Sequence, residues 1–160
     1  MSESFHRDDM AIANSILDMC RRLVSLLHVA SKSTEKHLGL STAQLFVLKK
    51  LSDGQVRSLN ELAILTYTHQ TSVSAVVKKL VEKKLVRSRQ AKDDARRLEL
   101  SLTPAGQKIL LGSPEPVQEQ LIRGISALGP IDSRELERLL NLMLREVQSS
   151  DQPAKLFFED

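Results

Sequence analysis

The sequence predicts a mainly α chain with one short β-hairpin, and three observations carry that expectation. Aliphatic residues recur at helical spacing in several separate segments, most of them opened by a Ser, Thr or Asp suited to capping a helix. Two five-residue runs near the middle of the chain alternate at period two on either side of a polar loop. Aromatic residues are scarce, at 3% with no Trp, whereas hydrophobic residues make up 41%, a balance that favours helices packed by aliphatic side chains over a β-sandwich. With 160 residues the chain is long enough for one domain with a real core and short for two. We therefore read 1–160 as a single domain: a central unit over 40–102, flanking helical regions over 9–37 and 104–147, and a tail over 149–160.

From Asp9 to His37 the residues Ile12, Ile16, Met19, Cys20, Leu23, Leu26, Leu27 and Ala30 form the apolar stripe of one long helix, which Gly39 can close. Ser41, with Gln44 three residues on, reads as a capping box for a second helix that buries Leu45, Val47, Leu48 and Leu51 and ends at Asp53-Gly54. Ser58 with Glu61 makes another box, so Leu59 to Leu65 has a defined start but is too short to stand alone. A helix from about His69 to Lys83 must pack across it through Val73, Val76, Val77 and Leu80. Leu85 to Arg89 and Leu98 to Leu102 then form a hairpin, and the order describes a winged helix-turn-helix. Thr103-Pro104 starts a helix that reaches Ile109 to Leu111 and is interrupted over Gly112 to Pro116. Val117 to Leu128 follows and ends at Gly129-Pro130. Asp132 and Glu135 are expected to cap a last helix with Leu136, Leu139, Leu140, Met143, Leu144 and Val147 on one face. The final segment has no periodicity, although Leu156-Phe157-Phe158 is apolar.

Charge converges on the central unit. Between Lys78 and Arg97 lie nine cations against three carboxylates, a net +6 in a protein whose total is +3. Affinity for a polyanion therefore belongs to this block. On the helix from His69 to Lys83, the face opposite the apolar stripe carries His69, Gln70, Thr71, Ser72, Ser74 and Lys78. Hydrogen-bonding side chains grouped at a helix N-terminus can reach base edges in a major groove, while the terminal amides and Lys78 suit phosphates. Arg87, Arg89, Lys92, Asp94, Arg96 and Arg97 are the candidate contacts of the hairpin. A guanidinium at the hairpin tip can enter a narrow minor groove, and Asp94, two residues from Arg96, would orient it. Against these stand plainer roles: lysines such as Lys79, Lys83 and Lys84 are commonly just solvated, and Gln, Thr and Ser at a helix start commonly cap it.

These residues resemble the MarR family of bacterial transcription regulators. The motif-level similarity spans Leu40 to Gly106 and rests on Leu62-Ala63, Thr71-Ser72-Val73-Ser74, Leu80, the exit Lys84-Leu85-Val86-Arg87, the Asp-x-Arg of Asp94 and Arg96, and Leu102-Thr103-Pro104-Ala105-Gly106. Tyr67 stands where a turn glycine is usual in that family, and Thr66 where an apolar residue is usual. The resemblance implies a homodimeric, ligand-responsive repressor built through its first and last helices. Each subunit would place its His69 to Lys83 helix in a major groove of double-stranded DNA and its wing near a minor groove. It also implies a small aromatic effector, which no residue here identifies. The sequence supports the dimer independently, because the apolar stripes of the terminal helices exceed what the central unit can cover.

Other classes are disfavoured. No nucleophile–base–acid set or phosphate loop is evident, so we expect no enzyme and no cofactor. His6, His28, His37 and His69 lack metal-ligand spacing, and one cysteine rules out an intramolecular disulfide. No run approaches the ~18 apolar residues of a membrane span, and the N-terminal residues do not read as a signal peptide, so a cytoplasmic protein without a membrane partner is expected. The alternatives kept open are a winged helix that docks an acidic protein, and a regulator that senses oxidants through Cys20, although Cys20 falls within an apolar stripe with no cation on its own face.

Overall fold

The computed structural model describes residues 2–91 and 97–147. The helices are α1 (Ser2–Leu38), α2 (Thr42–Lys50), α3 (Leu59–Leu65) and α4 (Gln70–Glu82), then, after the hairpin strands β1 (Val86–Gln90) and β2 (Leu98–Leu102), α5 (Pro104–Leu111), α6 (Val117–Ala127) and α7 (Gly129–Val147). The fold is the expected mainly α winged helix-turn-helix.

Helix starts follow the side chains that cap them. Ser41 Oγ accepts from the Gln44 N–H while the Ser41 N–H donates to Gln44 Oε1, and Ser58 with Glu61 repeats the arrangement on α3. The Ser58 N–H and hydroxyl, followed by the nearby Arg57 and Arg97, hold the Glu61 carboxyl below its ordinary value. Thr103 Oγ1 accepts from the Gly106 N–H at the head of α5, with Pro104 in the first turn.

Helices α1, α3 and α4 each close with a residue in the left-handed region. Gly39 (φ 64) ends α1, its N–H donating to the Glu35 carbonyl. α3 ends in a Schellman turn: the Tyr67 N–H donates to the Ile64 carbonyl at 3.2 Å and the Thr68 N–H to the Ala63 carbonyl at 3.0 Å, with Tyr67 at φ 55. Lys84 (φ 59) repeats that turn after α4, through the Lys84 N–H to the Val81 carbonyl and the Leu85 N–H to the Leu80 carbonyl. A side chain in this conformation costs roughly 1 kcal/mol where glycine costs little.

The core is one cluster in which α4's stripe of Val73, Val76, Val77 and Leu80 meets Phe46, Val47, Leu51, Leu62, Leu85 and Leu100. The strands pair antiparallel, Val86 opposite Leu102 and Arg89 opposite Glu99. A further rung comes from Arg57, which bridges Leu100 with N–H to carbonyl bonds in both directions. α6 docks on α2, with Ile122 packed against the core and Val117 buried, and Lys50 Nζ donates to Glu119 Oε1 at 2.5 Å and lies 4.9 Å from the centre of the Phe46 ring. α7 has no buried residue, and α1 exposes Met10, Ile12, Ile16, Met19, Leu23 and Val24.

Three expectations shift. α1 begins at Ser2 rather than near Asp9. β1 runs over Val86–Gln90, one residue later than expected, because the Leu85 N–H is turned back to Leu80 and cannot join the ladder. Asp132 does not cap α7: the helix already starts at Gly129, with Pro130 in its first turn, so Asp132 lies inside it, while Glu135 pairs with Arg138. Lys92, Asp94, Arg96 and the Leu156 to Phe158 tail fall outside the described residues.

Gly106 explains the Leu-Thr-x-x-Gly run. Thr103 Oγ1 bonds the Lys84 and Leu85 carbonyls, drawing the start of α5 onto the exit of α4, and a Cβ on Gly106 would stand 2.3 Å from the Leu85 oxygen and 2.8 Å from Leu102 Cδ1. Gly106→Ala is therefore expected to destabilise the fold by about 1–3 kcal/mol, read as a lower urea midpoint at unchanged slope.

Candidate nucleic-acid interface

α4 presents a polar strip away from the core. Gln70, Ser74 and Lys78 follow one another at four-residue intervals, all exposed, with Thr71 and Ala75 beside them and Ser72 half-buried. The helix packs through Val73, Val76, Val77 and Leu80, so the two faces cannot exchange without emptying the core. His69 stands at the N-cap, exposed, with extended backbone and no side-chain hydrogen bond to the helix amides. This differs from α2, α3 and α5, whose Ser or Thr caps bind their own first-turn amides. Partial positive charge at the start of α4 is thus left facing outward, beside the strip.

The cations behave differently from one another. Lys78 and Arg87 are exposed. Lys83 Nζ donates to the Gly39 carbonyl at 2.6 Å, tying the end of α4 to the end of α1. Arg89 Nε donates to Glu99 Oε2 at 2.8 Å, and an Arg97 nitrogen lies 4.0 Å from Glu99 Oε1. Glu99 is the neighbour that the charge reading missed, since it sits two residues beyond the basic window but directly opposite Arg89 in the ladder. The Arg57 rung was also missed: a one-residue bridge has no periodicity to read. The structure therefore brings His69, Gln70, Thr71, Ser74 and Lys78 together on one exposed surface, keeps Ser72 at its edge, and holds Arg89 and Arg97 against a carboxylate.

Other chemistry has little to build on. Among the described residues no group of three or more His, Cys, Asp or Glu is placed to hold a metal. The ring nitrogens of His28 and His37 face carbonyls of their own helix, Val24 at 3.2 Å and Ser33 at 2.8 Å. Cys20 is half-buried on α1. No described helix is long and apolar enough to cross a membrane.

A polar-faced helix entered through a tight turn, backed by an aliphatic core and followed by a charged hairpin, defines a winged-helix DNA-binding regulator. Residues 30–111 match the family Transcriptional regulator SarA/Rot, and the chain belongs to that family. Among solved structures it is similar to BpsR of Bordetella bronchiseptica, whose DNA binding is regulated by 6-hydroxynicotinic acid, at 25% identity over 81% of this chain and 98% of that one, with a TM-score of 0.54. It shares its fold with S. aureus MepR in complex with DNA, at 21% identity over 85% and 98% of the two chains and a TM-score of 0.57. It shares it too with a MarR-family regulator from Silicibacter pomeroyi, at 22% identity over 84% and 90% and a TM-score of 0.51. None of the curated proteins matches the chain. The MarR resemblance read from the motifs is borne out at the level of fold, and the family makes the protein a transcription regulator.

Glu99 gives a direct handle on the wing. Glu99→Gln keeps a hydrogen-bonding group opposite Arg89 but removes the charge, so duplex affinity is expected to rise several-fold at low salt and its salt dependence to steepen. Fluorescence anisotropy with a labelled duplex at a series of salt concentrations reads both.

Proposed function

We propose that the protein is a homodimeric, ligand-responsive repressor that binds a pseudo-palindromic operator through α4 and the wing of each subunit. The exposed strip of Gln70, Thr71, Ser74 and Lys78 at the uncapped start of α4 is the observation that carries the reading. Gln70, Thr71 and Ser74 would read base edges, with Ser72 at the margin. His69, Lys78 and the first amides of α4 would hold phosphates. Arg87 and Arg97 would lie along the backbone, Lys92 would add positive charge to the loop, and Arg96, oriented by Asp94, would reach the minor groove. Arg89, shared with Glu99, would contribute least. That MepR, which shares the fold, forms a complex with DNA supports duplex DNA as the partner.

The dimer is supported by what the single chain leaves uncovered. Leu136, Leu140 and Leu144 recur along α7, with Ile125 of α6 beside them, and most of the large exposed aliphatic side chains sit on α1 and α7. A soluble monomer rarely leaves so continuous an apolar surface in water. A two-fold partner would cover it and set the two α4 helices about one DNA turn, roughly 34 Å, apart. A small aromatic effector would then act by favouring a different spacing, which lowers affinity through a population shift. The heteroaromatic acid that regulates BpsR supports that class of effector.

Titration against the DNA upstream of its own gene, at several salt concentrations, tests the reading. Preference for that duplex over a scrambled one is expected, with affinity falling steeply as salt rises; no preference, or no salt dependence, would overturn it. Lys78→Ala should reduce the slope of log affinity against log salt by about one, and Arg96→Ala should weaken binding about tenfold with the fold intact by circular dichroism. In sedimentation equilibrium the protein should run at twice the chain mass. Leu140→Glu should shift it to monomer and abolish tight operator binding.

A further inference from the structure

The turn before α4 carries a side chain that folding does not use. Tyr67 occupies the left-handed position of the Schellman turn closing α3, at φ 55. Gly39 closes α1 in the same region of backbone space at φ 64 without a side chain, so the conformation itself needs none. Burial does not compensate, because Tyr67 is 76% exposed. Nor does hydrogen bonding, because its hydroxyl bonds no described residue. A tyrosine held in a conformation that favours glycine, with its ring in water, is conformational strain at a surface position, and such strain points to a partner outside the chain.

Its position identifies that partner. Tyr67 lies three residues before Gln70, the first residue of α4, and two before the exposed N-cap His69. When α4 enters a major groove by its N-terminal end, the turn before it faces the sugar–phosphate strand that borders the groove. Tyrosine is among the side chains that donate to phosphate oxygens there. Ile64, exposed one helical turn earlier, offers methyl groups to the adjoining deoxyribose. We propose that Tyr67 is a DNA-backbone contact, its phenolic O–H donating to a phosphate oxygen and its ring packing on the neighbouring sugar. The contact fixes how far α4 slides along its groove and is independent of base sequence. This rests on the reading that α4 is the groove-entering helix.

The composition supplies a reporter, since Tyr67 is the single tyrosine and the chain has no tryptophan. Tyrosine emission from the full chain is a signal from this site alone. Titration with a fluorescein-labelled mixed-sequence duplex at low salt should change that emission saturably, over the same range of DNA as the anisotropy of the label. Tyr67→Phe, which lacks the hydroxyl, and Tyr67→Gly, which lacks the ring as well, should each weaken binding, by about fivefold for the loss of the hydrogen bond. The loss should be equal on unrelated sequences and should leave the salt slope unchanged, because a neutral phenol releases no counterion. The melting temperature of Tyr67→Gly should not fall. Variants that bind as tightly as wild type, emission that ignores DNA, or a Tyr67→Gly chain that melts well below wild type would each overturn the proposal while the DNA-binding reading stands. A wild-type chain that binds no duplex at low salt would overturn both.

Discussion

Everything in the central unit depends on burying one stripe of α4. Val73, Val76, Val77 and Leu80 fill the space between α2, α3 and the base of the hairpin, and Leu80, Val73 and Leu62 are completely shielded from water. α3 has seven residues and cannot hold its shape without that surface. The hairpin has only two strands and needs Val86 and Leu100 inside the same cluster. Fixing the inner face of α4 also fixes its outer face. The polar strip is presented outward because the aliphatic stripe has nowhere else to go, so the core that stabilises the fold also orients the surface proposed to meet DNA.

The flanking helices follow a different logic. α1 and α7 pack lightly on the rest of the chain and leave long aliphatic rows in water, while α6 is anchored by Ile122 on the core and by the half-buried pair Lys50–Glu119 to α2. One end of this assembly is fixed to the DNA-reading unit and the other is open. Lys83, bonded to the Gly39 carbonyl, makes a second tie, from the end of α4 to the end of α1. The terminal helices are therefore tied to the central unit at a few points, Leu38 of α1 and Ile122 of α6 among them.

Much of this was legible in the sequence, because capping is chemistry carried by nearby residues. Ser41 with Gln44, Ser58 with Glu61, and Thr103 with Pro104 each name a helix start, and each start is where the pattern put it. The polar and apolar faces of α4 were legible from their period alone. What was illegible depended on contacts across the chain or on one residue's backbone. Lys84 taking φ 59 delayed β1 by a residue, and nothing in a lysine announces that. Gly129-Pro130 looked like a stop, yet proline's fixed φ suits a first helical turn, so the pair both closes α6 and opens α7. Glu99 was overlooked because its effect on Arg89 is set by strand register and not by sequence distance.

That register bears on how the protein would search a chromosome. A carboxylate shared by Arg89 and Arg97, and a lysine turned toward Gly39, leave the block with less free positive charge than its composition indicates. Grip on arbitrary DNA scales with the phosphates that cations neutralise. With that grip reduced, residence on wrong sites shortens and fewer copies are lost to the vast excess of random sequence. A greater share of discrimination would then fall to the uncharged side chains of α4 that are proposed to read bases. On the proposed reading Glu99 would weaken the protein's hold on DNA in general, and in doing so would sharpen the difference between one site and all the others.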